Sequence, residues 1–154
     1  MKKIKTIEAV KAYGVVKGLK LSAIEDEVLI GVWKSIKALR PIAEEFDKSN
    51  EEAKKTLQDD EFTEMQTLAG ECMEREKALK ESGGTMTDSE RADVEKVNGY
   101  FNELGKKGKT FFDGLAEKEV EVDVDVISAD ALLKILKANE MSFADMESVA
   151  WMTE

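Results

Sequence analysis

From Leu29 onward, apolar residues recur at alternating steps of three and four: Leu29, Val32, Ile36, Leu39, Ala43, Phe46, Asn50, Ala53 and Leu57, with Asn50 the polar exception. A 3.5-residue period keeps one stripe facing a partner, so this run predicts a helix packed lengthwise on another helix. Ser22 stands three residues before Glu25, a capping-box spacing, and Asp26 and Glu27 suit the positive end of the helix dipole. Pro41 removes one backbone donor and crowds the preceding turn, which predicts a kink near Ala38. The alternative is two helices meeting at Arg40-Pro41, with Pro41 opening the second.

A second run, Val94, Val97, Phe101, Leu104, Gly108, Phe111 and Leu115, has the same spacing. Thr87-Asp88-Ser89-Glu90 supplies its capping box, and Ser82-Gly83-Gly84 before it is a turn. Gly99, Gly105, Gly108 and Gly114 weaken this helix, so it needs tertiary support or a neighbour close to its backbone. Between the runs, Phe62, Met65, Ala69, Cys72 and Leu79 predict a third helix over residues 60–80, with Glu76 breaking the pattern. At about 1.5 Å per residue the two runs span about 42 Å and about 32 Å, long enough to lie antiparallel. The middle helix either extends that hairpin or folds back as a third member. If it extends the hairpin, its seam is left for another copy or another protein to cover.

Glu119-Val120-Glu121-Val122-Asp123-Val124-Asp125-Val126 alternates without a break and predicts a half-buried strand over 119–126. Its backbone needs a partner, and Lys3-Ile4-Lys5-Thr6 and Leu19-Lys20-Leu21 both alternate apolar and basic residues. Lysine opposite carboxylate would support such pairing. A short helix is predicted over 7–16. In the tail, Ser128 caps a helix over 129–138 with Leu132, Leu133, Ile135 and Leu136 as its apolar face. Ser142 with Asp145 caps a second over 143–152, bearing Phe143, Met146, Val149 and Ala150. The fold class is therefore mainly α (α+β): a long antiparallel helical hairpin or bundle, a small sheet of two or three strands, and two short C-terminal helices. One domain over 1–154 is expected, with a hairpin core at 25–117, the strand at 119–126 and the helix pair at 128–152.

Composition narrows the function. The chain has 154 residues, 23 Lys+Arg against 33 Asp+Glu, a net charge of −10, and no histidine. With three arginines, Arg40, Arg75 and Arg91, binding to nucleic acid or an anionic membrane is disfavoured. The commonest general base and metal ligand is missing. The single cysteine, Cys72, cannot form an intrachain disulfide or a thiolate zinc cluster, and it reads as a structural thiol on an apolar stripe. The carboxylates Glu119, Glu121, Asp123 and Asp125 are spaced about 6.8 Å apart along a strand, too far for neighbours alone to hold one hard cation. They read as a solvated face.

Ser22, Ser89, Ser128 and Ser142 read as helix caps, and Ser82-Gly83-Gly84-Thr85 lacks the strand and Lys-Ser/Thr of a phosphate loop. Lys106, Lys107 and Lys109 read as a solvated helix surface. Asn50 either sets register or oligomer state, or lies on the surface after a packing change. No catalytic residue, metal ligand or cofactor is expected. The Lys-rich N-terminus lacks a following apolar segment, so no signal peptide or membrane span is expected and the cytoplasm is the default location. Trp151-Met152 is unusually apolar for a terminus and docks on the core or on a partner.

The order of features resembles a class of small uncharacterised proteins of tailed bacteriophages and related prophages. The likeness lies in Trp33-Lys34-Ser35-Ile36-Lys37-Ala38-Leu39-Arg40-Pro41-Ile42-Ala43-Glu44-Glu45-Phe46, in Asn102-Glu103-Leu104, in the Glu-Val-Glu-Val strand and in the C-terminal helix pair. It covers the chain ends better than the middle, where 59–87 looks like an expansion. The resemblance implies phage or prophage origin, a host cytoplasmic or virion location, and no assigned catalytic residue. The expected activity is protein–protein contact, as a homo-oligomer, through the helical seams and through Phe62, Met65, Trp151 and Met152. The alternative is an anti-defence or regulatory binder that inhibits a host protein or sequesters a small signalling ligand.

Overall fold

The structure, a computed structural model, describes residues 1–22 and 24–153. In chain order it comprises β1 (Lys2–Lys5), α1 (Thr6–Val16), α2 (Asp26–Leu57), α3 (Asp60–Ser82), α4 (Asp88–Glu117), β2 (Glu119–Val122), α5 (Ala129–Asn139) and α6 (Phe143–Val149), then a 3-10 turn at Ala150–Met152. The class is mainly α with a small antiparallel sheet. The chain divides into two compact units: unit 1 is Met1–Ser49 with Gly114–Glu154, and unit 2 is Asn50–Asp113. Both boundaries fall inside long helices, which is why the sequence pattern reads as one domain.

In unit 1, β1 pairs antiparallel with β2 in the register Lys2↔Val122, Lys3↔Glu121, Ile4↔Val120 and Lys5↔Glu119. The ladder runs on into α1, where the Thr6 N–H and hydroxyl both donate to the Lys118 carbonyl at 2.8 Å. The strand is shorter than the alternation of 119–126 predicts, because β1 offers four residues to pair with. Beyond it, Ile127 bridges to Thr153. Leu19-Lys20-Leu21 is a connector and not a third strand. The Asn139 side chain replaces a strand partner there: its Oδ1 accepts from the Lys20 N–H at 2.6 Å, and its Nδ2 donates to the Lys20 carbonyl at 3.0 Å.

The core of unit 1 joins Ala9, Ala12 and Val16 of α1, Val32 and Leu39 of α2, Val122, Ile127, Ile135 of α5, Val149 and Met152. Alanines at two core positions of α1 let its backbone come close to α6. Helix α2 passes through Pro41 unbroken, which excludes the two-helix alternative. It begins at Asp26, so Ser22 lies in the preceding turn and not at its cap. Its inward residues are Val32, Ser35, Leu39, Ala43 and Phe46. Ser35 is fully buried, and its hydroxyl has no hydrogen-bond partner among the described residues.

In unit 2, α3 starts at Asp59, whose carboxylate accepts from the Phe62 N–H at 2.9 Å, and ends at Gly83 in the left-handed region, φ 68°. Thr87 and Glu90 form the predicted capping box of α4 at 2.8 and 3.2 Å. Helices α3 and α4 are antiparallel: Arg75 donates to Asp93 at 2.8 Å and the Phe62 ring meets Phe101 edge-on at 6.0 Å. Farther along α4, a Cβ on Gly108 would stand 3.9 Å from Leu57 of α2, whereas the space around Gly99, Gly105 and Gly114 is open. Helix α4 thus pairs first with α3 and then with the end of α2. Within unit 2, α3 runs back along the first part of α4.

Two substitutions test this packing. Ser35→Ala removes an unsatisfied buried hydroxyl and improves helix propensity, so it should raise stability by about 1 kcal/mol in thermal or urea unfolding. A loss instead would mean that the hydroxyl is satisfied. Asn139→Ala should cost about 1 kcal/mol and speed hydrogen exchange at the Lys20 amide; unchanged exchange there would rule out the side-chain bridge.

Candidate interaction surface

Of the acidic strand face, Glu119 and Asp125 have lysine partners. Lys3 pairs with Glu119 at 2.5 Å and Lys5 with Glu117 at 2.6 Å, one step diagonal to the ladder register, with all four side chains more than half exposed. The hydrogen bond that the Lys5 ammonium donates to Glu117 raises the Lys5 pKa above its ordinary value, with a smaller contribution from the charge of Glu117. Asp123 and Asp125 lie past the end of β2, and Asp125 pairs with Lys34 of α2 at 3.3 Å. Among the described residues no group of three or more Cys, Asp or Glu is placed to hold a metal ion. No helix of the described residues is long and apolar enough to cross a membrane.

Cys72 is a free, half-buried thiol on α3. Ser128 and Ser142 cap α5 and α6, but Ser89 lies inside α4, where Thr87 takes the cap. Lys106 and Lys109 pair along their own helix with Glu103 at 3.1 Å and Asp113 at 2.5 Å, as a solvated surface does. Asn50 is half-buried. Where α2 ends and α3 begins, unit 2 has an open cleft of about 420 Å³ lined by Asp59, Glu61, Lys96, Tyr100, Glu103 and Lys107 among others. Partial burial, then the charges of Asp59 and Glu61, raise the pKa of Tyr100. Carboxylates and ammonium groups alternate around this cleft, so it presents no single sign of charge to a ligand.

The residues expected to form an interaction surface are placed differently. Met65 and Met152 are buried, at 5% and 0% exposure, and Phe62 and Trp151 are half-buried. Met65 and Phe62 fill the α3–α4 seam of their own unit. The tail docks on the core: the Lys2 ammonium donates to the carbonyls of Trp151 at 2.5 Å and Thr153 at 3.2 Å, and Met152 O accepts from the Ile127 N–H at 3.0 Å. The Trp151 indole N–H is buried without a partner among the described residues. Met65 and Met152 are thus core residues of their units, while Phe62 and Trp151 keep part of their surface exposed.

The apolar groups that do face outward lie elsewhere. On α2, Leu29, Ile30, Trp33 and Ile36, joined by Leu21, line a shallow depression of about 390 Å³ that is almost wholly apolar. Trp33 is 57% exposed, and the Lys37 ammonium sits 4.5 Å from its ring centroid. In unit 2, Met73 is 70% exposed on α3 and Phe111 42% exposed on α4. Ile36 packs half-buried against the core as its seam position predicts, whereas Leu29, assigned to the same seam, is exposed. Ile30 and Trp33, one position beyond Leu29 and Val32, were the available signal of the α2 patch.

The chain matches no family model, and no curated protein or solved structure is significantly similar to it. Met65→Ala should destabilise unit 2 by about 2–3 kcal/mol and accelerate hydrogen exchange in α3 and α4, leaving α1 and α5 protected. Equal acceleration in α1 and α5 would show that the two units unfold as one.

Proposed function

We propose that this is a non-catalytic, phage- or prophage-encoded helical protein that works by protein–protein contact and self-associates, in the host cytoplasm or in a virion. The observation that carries the reading is the thin core of unit 2. Among its described residues, only Met65 and Val97 are buried. A two-helix hairpin has one seam, and isolated helices in water are marginal without a packed face. Met73 and Phe111 are exposed on its surface, so a second copy that covered them would add apolar burial to that thin core. The resemblance to phage proteins supports the origin, and 59–87, its expanded segment, lies within this hairpin.

A second reading is favoured by the net charge of −10: an anti-defence or regulatory binder that uses an acidic surface against a host protein. A version that sequesters a signalling nucleotide is less well supported, because the unit 2 cleft mixes both signs of charge. A thermal-shift screen against cyclic nucleotides separates the two versions, since a clear upward shift would favour sequestration.

Light scattering after size exclusion, at tens of micromolar protein, should give a mass above that of one chain. A compact monomer across that range would overturn self-association.

A further inference from the structure

The N-terminal half of α2 is apolar on two faces. Val32, Ser35 and Leu39 point into the core, while Asp26, Leu29, Ile30, Trp33 and Arg40 are exposed on a second, outward stripe with heptad spacing, and half-buried Ile36 borders both the core and the depression on that stripe. We infer that this outward stripe is a two-fold interface, on which α2 of a second copy packs antiparallel with Trp33 against Trp33. The inference rests on the self-associating reading above and names the surface that serves it.

The argument is self-complementarity. A two-fold axis through Trp33 places each residue opposite the one equally far away on the other side. Ile30 then faces Ile36 of the second copy. Leu29 faces Lys37, whose ammonium already sits over the Trp33 ring. Asp26 faces Arg40, a carboxylate against a guanidinium, and the two-fold repeats this pair at the other end. Asp26 and Arg40 are both exposed. They stand about 21 Å apart within one chain, 14 residues at about 1.5 Å each, so no intrachain pair can join them. The stripe is apolar at its centre and oppositely charged at its two ends, which suits an antiparallel copy and would set like charges together in a parallel one. A contact of about four helical turns is at the small end of specific interfaces, so the dimer should form in the micromolar range.

Reciprocal charge exchange tests the geometry, with sedimentation equilibrium reading the dimer dissociation constant and thermal melting checking the fold. Asp26→Arg and Arg40→Asp should each weaken dimerisation about threefold or more, and the double variant should recover most of the loss. Trp33→Glu, on an exposed position, should weaken it about thirtyfold or more without lowering the melting temperature. If the wild type dimerises and none of these variants changes it, the interface is elsewhere and self-association stands on unit 2. If the single variants weaken it and the double variant does not recover, the antiparallel register is wrong. If the wild type is monomeric at tens of micromolar, this inference and self-association fall together.

Discussion

The closure of β1 on β2 is the contact on which unit 1 depends. Four residue pairs join segments more than a hundred positions apart, and loop-closure entropy grows only logarithmically with that separation. Once closed, the ladder places Thr6 under the Lys118 carbonyl and so starts α1 at a fixed point. It also aims the Lys2 ammonium at the Trp151 and Thr153 carbonyls, which seats Met152 in the core. The sheet is small, but α1, α6 and the tail all take their positions from it. Lysine on one strand and glutamate on the other add a register signal, since a one-residue slip would turn the apolar Ile4, Val120 and Val122 outward.

Unit 2 lies under a different constraint. Helices α3 and α4 meet along one seam, so each turn has one inward position and two or more solvated ones. Phe62, Met65, Val97 and Phe101 use the inward positions near the start of α3, while Arg75 and Asp93 substitute an ion pair for an apolar contact farther along. An ion pair of this exposure contributes little to stability, so the hairpin is weakest where that pair stands. The hydrogen bond that Arg75 donates to Asp93 holds the Arg75 pKa above its ordinary value.

Long elements with local signals were legible in the sequence. The three long helices, the Thr87–Glu90 box, the Ser128 and Ser142 caps and the β2 alternation all announce themselves within a few residues. What was not legible depends on which partner a segment meets. The strand alternation continues to Val126, but pairing stops at Val122 because β1 runs out. Leu19-Lys20-Leu21 alternates like a strand, yet the Lys20 backbone bonds to one amide side chain, a contact no local pattern encodes. Trp151 and Met152 could be read as docking inward or outward, and only the Lys2 contacts decide between them. The division into two units is invisible because both boundaries cross uninterrupted helical periodicity.

The outward stripe of α2 shows the same limit from the other side. A heptad pattern identifies one seam, and Leu29 and Ile36 fit the inward seam by spacing alone. Ile36 does pack half-buried against the core, but Ser35 beside it is fully buried while Leu29 is exposed. Burying an unsatisfied hydroxyl is unfavourable, and so is leaving Leu29, Ile30 and Trp33 in solvent. Rotating α2 by about one position would relieve both, but it would also withdraw Val32 and Leu39 from the core they fill completely. The helix is thus held by its strongest inward contacts, and Leu29, Ile30 and Trp33 remain exposed as the cost of keeping them.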